Sequence, residues 1–451
     1  MTNLKLETLQ ETLNKLENAL DQKDLATATA LLQTLRTADQ AELVNELDEE
    51  DTLILLPHLN PADSADILEE LDDEYVAELV AELSTETLVR IVDEMEPDEA
   101  ADLIGDLKPE QARAVLDALE DPDEIRPLLL HRDESAGGLM TSEFLALRRR
   151  MTAAEALQAI REWNPETETY YLYIVDAHRT LCGVVSLRQL VVADPKIPLI
   201  DIMEPEVLSV VAGTDQEEVA RLMSRYDLLT MPVVDANNHL IGVITVDDVI
   251  DVLEEEASED IQRLGGAQPL ERPYLDTPVL SITRKRIGWL LLLFITESLT
   301  GSVMRIFEEE LDTVVALAFF IPLLIGTGGN AGSQTTSTII RSLAVGELSV
   351  KDVFHTLWHE LRTGLLLGLA MAIFAYVRAI FWGTGSSLAL TVALAIMIIV
   401  LWANILGALL PLLAARLKID PTVVSGPAMS TLVDATGLFI YFTIARWMIG
   451  L

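Results

Sequence analysis

The sequence predicts a multidomain membrane protein: an α-helical N-terminal solenoid, a duplicated α/β module, and an all-α domain of five membrane spans. Three observations carry this reading. Charge is segregated, because 12 acidic and 12 basic residues follow from Glu271 onward, leaving 60 acidic and 19 basic residues in the first 270. The whole net charge of -41 therefore lies upstream. The neutral remainder contains five apolar stretches, each at or above the roughly 20 residues that cross a bilayer. The acidic part repeats itself in two ways, once with a helical period of 12 and once as a pair of β-rich segments.

An anionic body of this size concentrates cations and repels nucleic acid and anionic headgroups, so its natural partner is a metal cation. The chain opens Met-Thr-Asn-Leu-Lys with no apolar run behind it, and the expectation is a cytosolic N-terminal half without a signal peptide. Cys182 has no second cysteine to pair with and reads as a strand thiol beside Leu181 and Val184.

The first domain is placed at 1–130. Between residues 36 and 119 units of 12 begin at Asp48, Asn60, Asp72, Ser84, Glu96 and Lys108, and each closes with Leu or Met. Pro61, Pro97 and Pro109 stand second in their units, where fixed φ and a missing donor suit the first helical position. Short stacked helices follow.

From Met140 the composition turns to β-formers and duplicates. Tyr173-Ile-Val-Asp176 and Leu181 to Leu190 match Pro232-Val-Val-Asp235 and Leu240 to Val249, with helical stretches at Ala153–Trp163 and Gln216–Tyr226. This resembles a tandem pair of cystathionine β-synthase-type (CBS) motifs, placed at 131–200 and 201–245. The resemblance implies a regulatory module with nucleotide contacts at Tyr171, Arg188 and Thr245. Its pattern ends in Ser or Thr followed three residues later by Asp. Thr245 and Asp248 keep that spacing, whereas Ser186 is followed by Gln189.

A connecting helix is expected at 246–268, ending at Gly265-Gly266. It carries eight acids against the single base Arg263, and Asp247, Asp251, Glu255 and Glu259 recur every four residues. Each such like-charged pair costs about 0.2–0.5 kcal/mol in a helix, a penalty that a divalent cation removes.

The spans are expected at 287–306, 314–343, 361–382, 388–413 and 422–451, within a pore domain at 280–451. Bases cluster before the first (Arg284, Lys285, Arg286), between the second and third, and between the fourth and fifth, so the N-terminus is expected inside and the C-terminus outside. Pro322 and the run Gly326 to Gly332 are expected to break the second span at its centre; close helix packing is the alternative reading of these glycines. Asp434 is the one ionisable residue deep in the fifth span, with Ser430, Thr431, Gly437 and Tyr441 on its face. An unpaired carboxylate in hydrocarbon costs at least about 2.5 kcal/mol, which marks Asp434 as a site on an ion pathway unless Arg378 or Arg446 pairs with it. Glu297 in the first span is the other acid expected to be buried; a pair with Arg305 or Arg378 explains it equally well, and it is not assigned to the pore.

This order of parts resembles the MgtE family of magnesium channels, most specifically at Gly328-Gly-Asn330, Thr245-Val-Asp-Asp248 and Asp420-Pro421 through Gly437. The resemblance implies a non-enzymatic homodimer in the cytoplasmic membrane that imports Mg2+ past Asp434 on its two-fold axis. It implies that the connecting helix is a plug closed by cytosolic Mg2+. Carried over by position, the sensor ligands are Asp66, Asp98, Glu217, Asp227, Asp248, Asp251, Glu256, Glu259, Asp260 and Asp420. A polar amide is common in the family where Gly426 stands. ATP is left open as a second ligand. Two other readings are weighed: an intramembrane metalloprotease built on His355, His359 and Glu360, and a membrane-anchored nucleotide or metal sensor without transport.

Overall fold

A computed structural model describes residues 3–163, 170–270, 274–275, 277–424 and 426–450. It divides into two compact units, Met1–Glu254 and Glu255–Leu451.

In the first unit the residue that opens each 12-residue repeat is the N-cap of a short helix. Asp48, Asn60, Asp72, Ser84, Glu96 and Lys108 precede helices Glu49–Leu55, Pro61–Glu69, Asp73–Glu82, Thr85–Val92, Pro97–Asp106 and Pro109–Leu116. All three repeat prolines occupy the start of a helix, where the absent N–H has no intrahelical partner to lose. The helices stack in two rows. Thr37–Asn45, Pro61–Glu69, Thr85–Val92 and Pro109–Leu116 form one, and Glu49–Leu55, Asp73–Glu82 and Pro97–Asp106 the other. The closing residues Leu59, Leu71, Leu83, Leu107 and Leu119 are buried between them.

The duplicated module forms two three-stranded sheets of the same design. Strand β1 (Ala146–Arg148) lies parallel to β2 (Tyr171–Val175), which pairs antiparallel with β3 (Leu181–Ser186). Strands β4 (Val210–Val211), β5 (Thr230–Val234) and β6 (Leu240–Thr245) repeat that pattern. The expected helices are present at Ala153–Trp163 and Gln216–Tyr226. A shared core of Tyr173, Val175, Leu181, Val234, Leu240 and Val243 joins the halves, and Tyr173 Oη and Thr230 Oγ1 meet across it at 2.7 Å. Cys182 is only half-buried, its thiol donating to Ile174 O at 3.2 Å.

The connecting helix runs Val246–Leu264 and stops where Gly266 takes a φ of 75°, which lets Ala267 N bond back to Gln262 O. Five helical spans follow: Val279–Ile306, Val315–Ala344, Val350–Phe381, Ser386–Arg416 and Gly426–Ile449. The fourth packs against the second, third and fifth. Its apolar window is 61% buried against 6% for the first span, so the fourth is the hub and the first lies at the rim of the protomer.

One expectation about the spans is corrected. The glycine run does not break the second span, because Ile321–Ala344 is one continuous helix preceded by a 3-10 turn at Val315–Phe320, with Pro322 in its first turn. Three of its glycines, Gly328, Gly329 and Gly332, serve close packing instead, while Gly326 faces open space. A Cβ on Gly328 would lie 2.6 Å from Ile399 Cγ2, one on Gly329 would overlap Ser430 Oγ, and one on Gly332 would lie 2.8 Å from Met429 Cε. Small residues let the backbones of the second, fourth and fifth spans approach.

Candidate cation sites in the membrane bundle and the acidic unit

The fifth span presents Asp434 half-buried, with Oδ1 enclosed and without a hydrogen-bond partner. Neither arginine pairs with it. Arg446 donates through Nε to Glu310 Oε1 at 2.7 Å and lies 5.1 Å over the Phe307 ring, while Arg378 lies 4.6 Å over Trp382. Glu297, expected to be buried, is exposed and makes no ion pair with Arg305 or Arg378 among the described residues. Buried Gly437 and Tyr441 anchor the helix on the protein side, Tyr441 donating to Leu317 O at 3.1 Å, and Leu432 and Phe439 face outward. Trp402 of the fourth span donates from Nε1 to Thr436 Oγ1 at 3.0 Å and so fixes the turn that carries Asp434. At the other end of the fifth span Ser333 donates to Gly426 O at 3.1 Å.

In the acidic unit the fold brings together residues 150 positions apart. Asp98 is 6% exposed and its Oδ1 has no hydrogen-bond partner. Burial, then the charges of Asp248, Glu96 and Glu99, hold its carboxyl well above the usual range. Burial likewise raises Asp248, against hydrogen bonds from Thr245, with Asp247 and Asp251 adding to the rise. Glu96 was not foreseen. Burial and the charges of Asp248, Glu69, Asp247 and Glu143 push it up to about 7. No local pattern marks Glu96, since its relation to Asp248 exists only after folding. Asp66 is exposed and acts on Glu69, which accepts from Glu96 N at 3.0 Å. Glu217 lies exposed in the first turn of Gln216–Tyr226, and Asp227 caps the other end of that helix in the left-handed region at φ 53°. Asp251 is exposed, its carboxyl raised by burial and by Asp247 and Glu254.

The second unit holds the remaining four. Arg263 binds Glu259 Oε2 at 2.7 Å and Asp420 Oδ2 at 3.0 Å. Asp260 beside them is raised by burial, Asp420 and Glu256, with Arg263 opposing. Asp420 also accepts from Thr422 N at 2.8 Å through Oδ1, capping the turn that leads into the fifth span. Among the described residues no three His, Cys, Asp or Glu side chains converge on one ion position.

The nucleotide candidates sit at the ends of the sheets. Tyr171 pairs in register with Ser186, and Arg188 is exposed in the first turn of Leu187–Val192. Ser186 and Gln189 form a capping box, with Gln189 Oε1 accepting from Ser186 N at 2.7 Å. Thr245 and Asp248 repeat it: Asp248 Oδ2 accepts from Thr245 N at 3.1 Å and Oγ1 at 2.6 Å. Asp248 thus belongs both to the nucleotide pattern and to the acid pair with Asp98.

His355 and His359 are exposed, and Glu360 accepts from Thr335 Oγ1 at 3.5 Å. Thr335 in turn donates to buried Asn404 Oδ1 at 2.8 Å. Glu360, Thr335 and Asn404 thus form a polar tie between the third, second and fourth spans.

Comparison with known proteins gives matching family models over most of the chain. Residues 35–134 match the MgtE intracellular N domain, residues 136–196 and 199–255 match the CBS domain, and residues 321–444 match MgtE, described as a divalent cation transporter. The magnesium transporter MgtE of Thermus thermophilus is 44% identical over 327 residues, 72% of each chain. The chain belongs to the MgtE family. The magnesium transporter MgtE of Bacillus subtilis is 34% identical over 71% of each chain. A crystal structure of the cytosolic domain of the Mg2+ channel MgtE in complex with ATP aligns at a TM-score of 0.51 and 38% identity, covering 53% of this chain and 99% of that one. Another, of the soluble part of a magnesium transporter, aligns at 0.50 and 34% identity over 55% and 99%. MgtE proteins are transporters, not enzymes, and with five apolar helices this member is a multi-pass membrane protein.

Proposed function

We propose that this MgtE chain is a Mg2+ channel of the cytoplasmic membrane, permeated past Asp434 and closed by cytosolic Mg2+. The observation that carries the reading is the enclosed Asp434 Oδ1, which no donor satisfies among the described residues, Arg446 and Arg378 being engaged elsewhere. A carboxylate left in that state is a suitable passing site for an ion that exchanges little of its water. The near-complete exposure of the first span's apolar surface supports a homodimer, which would place two Asp434 carboxylates at one axis. The distribution of bases supports a cytosolic N-terminus and an extracytoplasmic C-terminus.

Closure follows from repulsion. Asp98 faces Asp248, and Glu256, Glu259 and Asp260 of the connecting helix stand with Asp420 around one arginine. Hydrated Mg2+ shared among Asp66, Asp98, Glu217, Asp227, Asp248 and Asp251, and among the plug acids and Asp420, would offset that repulsion and hold the helix as a plug. ATP would bind the CBS module through Tyr171, Arg188 and Thr245.

The test is Mg2+ uptake into liposomes containing the purified full-length chain. Asp434→Asn is expected to lower flux about tenfold or more, because it removes the charge that offsets partial dehydration, with the dimer intact by size exclusion. Wild-type flux in that variant would remove Asp434 from the pathway.

A further inference from the structure

Arg378 stands three residues before the end of the third span, and its only interaction among the described residues is the 4.6 Å stacking on Trp382. It is exposed, in a segment otherwise apolar from Leu361 onward apart from Arg362 and Thr363. Of the acids in the turn at this end of the bundle, Glu310 is taken by Arg446, and Glu308, Glu309 and Asp312 are exposed and make no ion pair with Arg378 among the described residues. A stacked guanidinium keeps its edge N–H groups free, and those match the oxygens of a phosphate.

Beside it lies an open apolar groove of about 520 Å³, lined by Ala318, Phe319, Pro322 and Trp382. The groove forms where the 3-10 turn Val315–Phe320 delays the start of the second helix, so that Phe319 projects, 60% exposed, while Phe320 packs inward against Trp382 at 5.2 Å. Trp382 is thus the floor of the groove and the platform of the cation at once. An apolar channel leading to a free cation at a helix end has the polarity of a phospholipid.

We propose that Arg378 and this groove bind a phospholipid of the surrounding bilayer, its phosphate on the guanidinium and one acyl chain along Ala318, Phe319 and Pro322. The phosphate supplies the counter-charge that the protein does not. This site is separate from the permeation and sensor residues, so it stands or falls independently of the channel reading.

Native mass spectrometry of the full-length protein in mild detergent tests it. One tightly held phospholipid per protomer is expected in the wild type and in Arg378→Lys. Arg378→Gln and Trp382→Ala should each lower retention about fivefold or more, the scale of one charge at a headgroup. Delipidated protein should rebind phosphatidylglycerol, while diacylglycerol, which lacks the phosphate, should bind weakly and inorganic phosphate should not displace the lipid. Equal retention in wild type and Arg378→Gln overturns the proposal. So does displacement by free phosphate, or a lipid-free wild-type dimer, which would show that a second copy covers the groove.

Discussion

Arg263 of the connecting helix reaches Asp420 at the foot of the fifth span, Nη1 to Oδ2, at 3.0 Å, while its Nη2 holds Glu259 at 2.7 Å. The single base of this helix is spent tying it to the membrane domain. The tie is partly exposed, and such pairs are individually weak, so it holds the helix to the membrane domain only loosely. Arg263→Gln should remove the cation shared by Glu259 and Asp420 and opposed to the raised carboxyl of Asp260. Flux into liposomes at low internal Mg2+ is then expected to rise, and closure to depend more steeply on internal Mg2+. An inhibition curve that overlays the wild type would show that the arginine takes no part in closure.

Asp98 and Asp248 predict a proton linkage. A carboxyl raised by folding stabilises the fold fully below its unfolded pKa and loses that contribution as pH rises through the folded value. For Glu96, beside this pair, the window runs from 4.5 to about 7. Without divalent cations, the acidic unit should therefore become less stable as pH rises from about 5 past 7. Mg2+ binds the ionised groups, so adding it to weakly buffered protein near neutral pH should release protons. The share of that release carried by Glu96 should fade as pH rises past about 7, where its carboxyl is already ionised. Asp98→Asn should lessen the release and raise thermal stability in chelator; unchanged proton release would disconnect the pair from Mg2+.

Close packing of the spans gives a stability prediction. A Cβ on Gly407 would stand 2.7 Å from Gly332 O, a backbone atom that cannot rotate away, and 3.0 Å from Thr335 Cβ. Gly407→Ala should destabilise the bundle by about 1–3 kcal/mol, the usual range for overpacking. Gly301→Ala, where nothing lies within 4 Å, should have no such effect and serves as the control. Thermal unfolding of both purified variants, followed by dye binding, distinguishes them.

Much of this was legible in the sequence because it is local. The 12-residue units predicted their own N-caps from Asp48 to Lys108, and the duplicated β segments predicted both module helices to the residue. The glycine run was read as a break because glycine lowers helix propensity; tertiary packing against Ile399, Met429 and Ser430 overrides that. Charge alone could not predict partners. Arg446 chose Glu310, and Arg378 chose an aromatic ring, so the alternative reading of Asp434 as half of a structural ion pair with either arginine does not hold among the described residues. The convergence of Glu96 and Asp98 on Asp248 spans 150 residues, and no spacing rule reaches that far.

The two halves of the CBS module make a final prediction, because they differ in one acceptor at matched positions. Asp248 and Gln189 each accept from the hydroxyl and the backbone N–H three residues before them, at 2.6 and 3.1 Å for Asp248 and 2.8 and 2.7 Å for Gln189. The scaffold is therefore the same, and only the charge is missing from the first motif. An ionised acceptor makes hydrogen bonds roughly twice as strong as a neutral one, and an amide oxygen cannot take both ribose hydroxyls as a carboxylate does. Gln189→Asp should keep the helix cap and tighten ATP binding by about tenfold, the scale of one charge-assisted hydrogen bond. Calorimetry on the full-length protein measures this directly. Tight wild-type binding that the substitution leaves unchanged would show that the amide already serves and that recognition rests on Tyr171, Arg188 and the second motif instead.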